Sequence, residues 1–283
     1  MKVANLSGYV SKLEYRAQAA AQRQAAINDI VRKCYALKDD DLPPVQFIEI
    51  IGSNSYEHFK NTMCHMFSEL ARRFKLNLQS SILDIGSGCG RMAVPFSLLL
   101  NEGRYYGVDT WKEGVDWCSQ HLTNNNHCMD FTVIESRNNY YYDKFKNDAD
   151  NDYHLQHVPT GSIDLTFAIS CFSHLIEKDC RAYFREVARV LKPDGAAYIT
   201  GFLIDKFFFE YVHRTGEHAS VKERGAGCFH AYEGQDFFGG FTWWKWVQMF
   251  EDAGLRIIAH DVGSWAEKPG ALNYQDTFIL VKS

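Results

Sequence analysis

Apolar residues in the first 78 positions recur at the spacing of buried helix faces, i, i+3, i+4 and i+7. Segment 13–35 carries one such stripe and segment 56–74 a second, on either side of a Leu42-Pro43-Pro44 break. The stripe positions are Ile27, Ile30, Val31 and Cys34, then Phe59, Met63, Met66, Phe67 and Leu70. The pattern therefore predicts an N-terminal helical extension over residues 1–78.

From Ser80 onward the pattern changes to short apolar runs that alternate with helical stretches. Such runs, bounded by turn residues, are typical of buried strands. Strands are predicted at 81–85, 105–108, 131–134, 163–170, 196–203, 255–262 and 276–281, and helices at 91–100, 112–122, 177–191 and 243–253. Alternation of this kind indicates a parallel sheet covered on both faces. The sequence predicts an α/β fold over residues 79–283, a doubly wound, mostly parallel seven-stranded sheet.

Composition and charge narrow the classes of function. The chain is 46% hydrophobic and 23% charged, as is usual for a globular protein, and its net charge of −5 does not favour nucleic acid as a partner. The sequence has neither a signal-peptide pattern nor an apolar run of the ~20 residues that a membrane helix needs. The eight cysteines include no C-x-x-C pair and are interpreted as reduced thiols. We expect a cytoplasmic protein without a membrane span.

The strongest local signal is a glycine loop, Asp84-Ile-Gly-Ser-Gly-Cys-Gly-Arg91. A strand that enters three alternating glycines and then a helix makes a tight turn whose backbone can approach a ligand closely. The dinucleotide fingerprint G-x-G-x-x-G would need glycine at 91. Asp84 lies where a carboxylate can face a cationic ligand rather than a pyrophosphate. Asp109, at the end of the second predicted strand, is placed to accept hydrogen bonds from ribose hydroxyls.

These motifs resemble those of the class I S-adenosylmethionine-dependent methyltransferases over about residues 80–283. Segment 84–90 is similar to their first motif, and segment 185–195 to their helix and turn before strand five, with Asp194 where glycine is usual. The last two predicted strands fit the family's terminal hairpin, which implies an antiparallel last strand. The resemblance implies S-adenosylmethionine as cofactor, bound by Asp84, Gly86, Ser87, Gly88, Gly90, Arg91, Asp109, Thr110, Glu135, Ser136 and Ser170.

The fourth strand is followed by the run 170–175, Ser-Cys-Phe-Ser-His-Leu. It lacks the Asn/Asp-Pro-Pro-aromatic run of amino methylases, and Cys171 lacks the proline that precedes the nucleophile of RNA cytosine-5 methylases. Cys171 is interpreted as a small apolar filler. The ordinary pKa of a histidine, about 6.5, suits a general base, so His174 is the first candidate for that role. The alternative is a histidine that hydrogen-bonds a neighbouring loop.

Two further residues of the same half of the chain are candidates for catalysis. His230 is the second candidate for the general base. Asp205 follows strand five, where it could orient His174 or a substrate hydroxyl, or equally cap a turn. The acidic residues of this region show no metal-loop spacing, so no metal site is predicted.

The run 170–175, together with Gly263-Ser-Trp265 and Tyr274-Gln-Asp276, resembles a group of bacterial methyltransferases associated with glycan and natural-product tailoring. This resemblance implies O-methylation of a sugar or a related hydroxyl, and therefore a small-molecule or glycan acceptor. A homo-oligomer remains open. Two other functions also remain open, an NAD-dependent oxidoreductase and a cofactor-binding module without catalysis. Arg91, in place of glycine, argues against the first.

Aromatic residues are concentrated around a predicted insertion at about 203–242. Residues 202–250 hold 14 of the 41 aromatic side chains, which stack well on sugars and planar rings. Trp244, Tyr232 and Phe207 are the predicted substrate contacts, and the glycines of the insertion suggest a mobile cover. After a Thr242 cap, the core-facing stripe of the next helix is Trp243, Trp246, Val247 and Phe250.

Overall fold

The computed structural model describes residues 3–123, 126–134, 155–233, 236–271 and 273–283. The helices are α1 (Val3–Ala36), α2 (Val45–Ile50), α3 (Tyr56–Arg73), α4 (Ala93–Leu99), α5 (Lys112–Cys118), α6 (Glu177–Val190), α7 (Lys206–Thr215) and α8 (Trp243–Asp252). The strands are β1 (Ile82–Ile85), β2 (Tyr105–Asp109), β3 (Met129–Val133), β4 (Ile163–Ala168), β5 (Leu191–Ile204), β6 (Lys222–Gly225), β7 (Cys228–Glu233), β8 (Asp236–Thr242), β9 (Leu255–Asp261) and β10 (Asp276–Lys282).

The predicted seven strands form one sheet in the order β3-β2-β1-β4-β5-β10-β9. Neighbours from β3 to β5 are parallel, and β10 is antiparallel to both β5 and β9. The predicted fold class and the antiparallel last strand are therefore confirmed. No helix among the described residues is long and apolar enough to cross a membrane.

Three strands that the sequence did not predict extend this sheet. The last residues of β5 pair in parallel with β8, in the register Phe202↔Gly240 to Ile204↔Thr242. β7 pairs antiparallel with β8, and β6 pairs antiparallel with β7. They were missed because β6 is exposed along its whole length and β8 contains two glycines, so neither has the apolar alternation of a buried strand.

β5 begins earlier than predicted, within the segment 185–195 where a helix and a turn were expected. The strand begins at Leu191, and its register with β4 shifts between Ile163↔Leu191 and Leu165↔Ala196. The extra residues form a bulge, a position where proline is tolerated in a strand. A Cβ on Gly195 would lie 2.7 Å from the carbonyl oxygen of Ile163. Glycine is therefore required here by a close approach of two backbones.

The two faces of the sheet carry separate apolar cores. Ile82, Tyr105 and Tyr198 pack with α1, α3 and α4, so the N-terminal helices cover one face. Leu83 and Ile85 point to the other face, where they pack with α6 and α8. This alternation follows from the pleat, because successive side chains of a strand point to opposite faces.

The start of α3 has a side-chain capping bond, whereas the start of α8 has none. The Ser55 hydroxyl accepts a hydrogen bond from His58 N at 3.1 Å and caps α3. Thr242 occupies the cap position of α8, but its hydroxyl forms no capping bond. Trp246 and Phe250 are buried as predicted, whereas Trp243 is 44% exposed rather than core-facing. The predicted core-facing stripe of α8 is therefore correct at Trp246 and Phe250 and wrong at Trp243.

Candidate active site

The glycine loop follows β1 at the edge where the carboxyl ends of the parallel strands meet. Gly86 and Gly90 have φ angles of +83° and +86°, in the left-handed region that other residues rarely adopt. A Cβ on Gly90 would also lie 2.8 Å from Sγ of Cys118. The loop therefore requires glycine at these positions.

Asp109, at the end of β2, fastens this loop. Its Oδ2 accepts a hydrogen bond from Gly88 N at 2.7 Å, and its Oδ1 accepts one from Trp111 N at 2.8 Å. Burial raises the pKa of Asp109, although these backbone bonds oppose the shift. Each carboxylate oxygen has two acceptor sites, so capacity for ribose hydroxyls remains. Thr110, the next residue, is exposed.

Asp84 lies beneath the loop, 3% exposed. Its carboxylate accepts a hydrogen bond from the hydroxyl of Tyr105 on the neighbouring strand. Burial raises the pKa of Asp84 to about 7, against the lowering effect of the Tyr105 bond. The structure thus gives this carboxylate a partner within the protein, and its contact with a cationic ligand stays a prediction.

The end of α2 covers the glycine loop, a contribution that the sequence reasoning missed. A Cβ on Gly88 would lie 3.2 Å from Cγ2 of Ile51. Arg91, predicted as a cofactor residue, donates from Nη1 to the carbonyl oxygen of Ile51 at 3.2 Å. The rings of Phe47 and Trp111 meet edge to face at 4.9 Å. The apolar residues that follow Pro43-Pro44 were the sequence signal that could have identified this covering helix.

The turn after β4 lies against the glycine loop from the other side. A Cβ on Gly86 would lie 3.1 Å from Cβ of Cys171. Burial, reinforced by the charges of Asp109 and Asp84, raises the pKa of the Cys171 thiol, so it stays protonated. This agrees with a small apolar filler rather than a nucleophile. Ser170, exposed beside it, has a φ of +58°.

His174 ends this turn with an exposed side chain. Its Nδ1 lies 3.1 Å from the carbonyl oxygen of Phe237 on β8. A carbonyl only accepts, so the bond places a proton on Nδ1, and the neutral ring then carries its lone pair on Nε2. The arrangement can therefore supply a base at Nε2. It also includes the loop hydrogen bond that the alternative interpretation expected.

His230 on β7 lies near the same β8 residue. Its ring centroid is 5.5 Å from that of Phe237. Burial lowers the pKa of His230, and the nearby charge of Arg224 adds to this. With Ser220, Arg224 and Ala231 it lines a recess of about 520 Å³. The structure thus places both candidate bases next to Phe237.

One glycine of the insertion, Gly239, has a packing role. Gly239 lies on β8, where a Cβ would come within 2.9 Å of the carbonyl oxygen of Leu175. The strand can therefore approach the turn that carries His174. Close packing explains this glycine without the motion expected of a mobile cover.

The contacts of Asp205 match its capping alternative, and its catalytic role stays a prediction. Its Oδ1 accepts hydrogen bonds from Phe207 N at 3.0 Å and Phe208 N at 3.3 Å, so it caps α7. Its Oδ2 lies 3.0 Å from Nζ of the buried Lys268. Both oxygens therefore have structural partners, and the capping alternative describes the residue better.

The predicted substrate residues are Phe207 and Tyr232, within the insertion, and Trp244, which follows it on α8. Trp244 is 49% exposed and packs over Gly227, where a Cβ would lie 2.6 Å from its ring. Phe207 is half-buried, with Nζ of Lys206 5.0 Å from its ring centroid. Tyr232 belongs to β7, but its side chain, like Glu135 and Ser136, lies outside the described residues.

Residues 83–199 match the family model described as a methyltransferase domain. Among solved structures, the chain is similar to the PH0226 protein of Pyrococcus horikoshii, with a TM-score of 0.53, 18% identity and coverage of 81% of this chain and 93% of that one. It is also similar to a chain of the complex between the Haloferax volcanii Trm112 methyltransferase activator and its methyltransferase, with a TM-score of 0.50, 15% identity and coverage of 80% and 92%. At these identities the structural likeness shows the fold.

Proposed function

We propose that this S-adenosylmethionine-dependent methyltransferase methylates a hydroxyl oxygen of a small molecule or glycan, with His174 as general base. The enzyme class and the cofactor follow from the domain match over residues 83–199. The observation that carries the finer proposal is the hydrogen bond of His174 Nδ1 to Phe237 O, 3.1 Å long. It orients an exposed imidazole at the carboxyl end of β4, beside the turn that packs on the glycine loop.

The glycine loop fits the cofactor. The Ser87 hydroxyl in its centre is buried and has no hydrogen-bond partner in the part of the chain that the structure describes, and a buried polar group without a partner is costly. A polar ligand on the loop would relieve this cost. Gly86, Gly88 and Gly90 would hold the cofactor close to the backbone, with Asp109 at the ribose.

When bound, S-adenosylmethionine supplies a methyl group that its sulfonium charge has already activated. The protein then has to align an acceptor hydroxyl, exclude water and take up the hydroxyl proton. His174 Nε2 accepts that proton as the oxygen attacks, because the proton on Nδ1 is held by Phe237 O. A positioned base contributes typically about 10²–10⁴-fold.

The inserted segment 203–242 supports an acceptor site next to this base. It brings Phe237 and His230 to the turn of His174, and the recess beside His230 is about 520 Å³, within the usual size of small-molecule sites. We assign acceptor contacts to the recess and to Trp244, whose ring is half-exposed.

The test uses S-adenosylmethionine with a labelled methyl group and separate glycan, small-metabolite, protein and RNA fractions. We expect label in the glycan or small-metabolite fraction, in a form that survives mild alkali, because methyl ethers of hydroxyls are stable and methyl esters of carboxylates are not. A parallel sample with excess S-adenosylhomocysteine is the control. Label confined to protein or RNA would contradict the acceptor class. Cofactor binding by calorimetry without transfer to any fraction would favour the non-catalytic module.

A further inference from the structure

A buried hydroxyl links the turn of His174 to a segment about a hundred residues further along the chain. Thr200 on β5 is 3% exposed. Its Oγ1 accepts a hydrogen bond from Ser170 N at 2.8 Å and donates one to Gln275 Oε1 at 2.7 Å. A hydroxyl has a single proton; its shorter bond is to Gln275 Oε1, and the carbonyl oxygen of Ala168 on β4 lies farther away, at 3.4 Å. Thr200 thus connects the exposed end of β4 with the segment before β10.

Gln275 is itself held by the group next to it. Asp276 is fully buried, and its carboxylate accepts hydrogen bonds from Trp265 Nε1 at 2.6 Å and Leu203 N at 3.2 Å. Nζ of Lys268, on a side chain that is 1% exposed, lies 3.1 Å from Asp276 Oδ2. This cluster joins Trp265, Lys268 and Asp276 to the end of β5. Gln275 therefore presents its amide from a rigid support.

The backbone that receives this support is strained. Ser170 has a φ of +58°, a left-handed conformation that costs about 1 kcal/mol or more for a residue with a Cβ. Its N–H is held by Thr200, and its carbonyl oxygen accepts a bond from Ser173 Oγ at 3.2 Å. Because Ser170 is exposed, water could replace Thr200 as its partner, and the turn could then relax.

We propose that Thr200 and Gln275 are positioning residues for methyl transfer: together they hold Ser170 in its left-handed conformation and so set the direction of the turn that ends in His174. The same turn places Cys171 against Gly86 of the glycine loop. A change at Ser170 would therefore alter the distance between the base and the methyl donor. The inference rests on the proposed role of His174.

The experiment compares Thr200→Val, which removes the hydroxyl at nearly constant volume, with Thr200→Ser, which keeps it. Thr166→Val is the matched control, because Thr166 is fully buried on the neighbouring strand and its hydroxyl has no partner within the described residues. Gln275→Met removes the other end of the link. Each variant is assayed for kcat and KM with an acceptor found by the label test, for S-adenosylhomocysteine affinity, and for the ring resonances of His174 by NMR.

We expect Thr200→Val and Gln275→Met to lower kcat about 10- to 100-fold, since a small misplacement of a reacting group has effects of this size. The affinity for S-adenosylhomocysteine should fall less than kcat, because Ser170 is one predicted cofactor contact among several. Thr200→Ser should retain most of the turnover, and Thr166→Val should match the wild type. The His174 resonances should move in Thr200→Val and not in Thr166→Val.

Wild-type kcat and unmoved His174 resonances in both Thr200→Val and Gln275→Met would overturn the inference. Equal losses in Thr200→Val and Thr166→Val would also overturn it, because they would indicate a general effect of core substitution. If the wild-type protein methylates no hydroxyl, the proposed function fails. The NMR comparison needs no acceptor, so it still decides whether Thr200 positions His174.

Discussion

The two sides of the candidate active site are built from contacts of different range. On the cofactor side, the glycine loop takes its shape from its own residues, and its bond to Asp109 spans 21 positions. On the acceptor side, His174 bonds Phe237 across 63 positions, and Thr200 bonds Gln275 across 75. The first side is a local strand–loop–helix device, whereas the second exists only after distant strands have assembled.

This difference separates what each side is expected to control. The cofactor side offers backbone N–H groups and a carboxylate at positions that glycine conformation dictates. The acceptor side offers an imidazole whose direction depends on β8 and on the support of segment 263–276. Substitutions on the first side should therefore change cofactor affinity, and substitutions on the second should change turnover.

The sharpest test of this division is His174→Ala. Loss of the base should lower kcat by about 10²–10⁴-fold and leave S-adenosylhomocysteine affinity within about twofold, because the imidazole acts on the acceptor hydroxyl. The exposed His58 on α3 provides the control His58→Ala, which should turn over like the wild type. Unchanged kcat in His174→Ala would exclude His174 as the base.

Lys268→Met tests whether the acceptor side depends on buried charge. It leaves the carboxylate of Asp276, which is fully buried, without its cation, and Asp205 also loses a partner. Breaking such a pair typically costs about 3–5 kcal/mol of unfolding free energy. Urea denaturation measures the loss, and Lys222→Met on the exposed β6 is the control. A loss no larger than that of the control would mean that the charges do not support this segment.

Asp109→Ala tests the cofactor side. The variant loses the carboxylate that accepts from Gly88 N and Trp111 N, as well as the predicted ribose contact. Hydrogen bonds to charged groups contribute about 1.5–3 kcal/mol each, so the loss of one ribose contact should weaken S-adenosylhomocysteine binding about 10- to 150-fold by calorimetry. Asp116→Ala, in an exposed pair with Lys112, should bind normally. Wild-type affinity in Asp109→Ala would remove Asp109 from the site.

The smallest effect concerns the pH dependence of stability. The pKa of Asp84 is raised to about 7 by burial, so the folded protein holds this proton more tightly than the unfolded chain. The contribution of Asp84 is greatest at low pH and is lost as pH rises from about 4 towards 7. Asp84→Asn keeps an acceptor for Tyr105 but does not titrate.

Between pH 5 and pH 8 the wild type should therefore lose about 2–3 kcal/mol more unfolding free energy than Asp84→Asn, as measured by urea denaturation. Asp116→Asn, at an exposed position, should follow the wild type. Parallel pH profiles for wild type and Asp84→Asn would contradict the raised pKa.

The seven-stranded part of the sheet and helices α4, α5, α6 and α8 could be predicted because their signals are local, whereas α2, α7 and strands β6 to β8 were not predicted. Buried parallel strands are continuous apolar runs, and the helices between them carry one apolar stripe each. The errors fall where apolar pattern is absent or interrupted. β6 is polar throughout, β8 contains Gly239 and Gly240, and the start of β5 contains Pro193 within a bulge.

The candidate site likewise has residues that could be identified from the sequence and residues that could not. The glycine loop and Asp109 could be identified from the sequence, because positive φ angles and a strand-end carboxylate leave signatures within about twenty-five residues. The contact of Ile51 with Gly88 left a weaker signal in the sequence. The preceding helix α2 has only six residues and one buried residue, too few for a recognisable apolar stripe. Capping was one of the roles that the position of Asp205 after strand five allowed. The ion pair of Lys268 left no signal of its own, because a buried ion pair is decided by what surrounds it.

The sequence by itself determined the doubly wound sheet and the form of the glycine loop, since both depend on backbone conformation and on apolar spacing along neighbouring residues. Only the tertiary structure decided which groups surround His174. Phe237 reaches it through β8, and Thr200 and Gln275 hold the turn from which it projects. Hydrogen bonds between residues so far apart have no fixed spacing in the sequence, because the length of the intervening chain does not determine where the two strands meet.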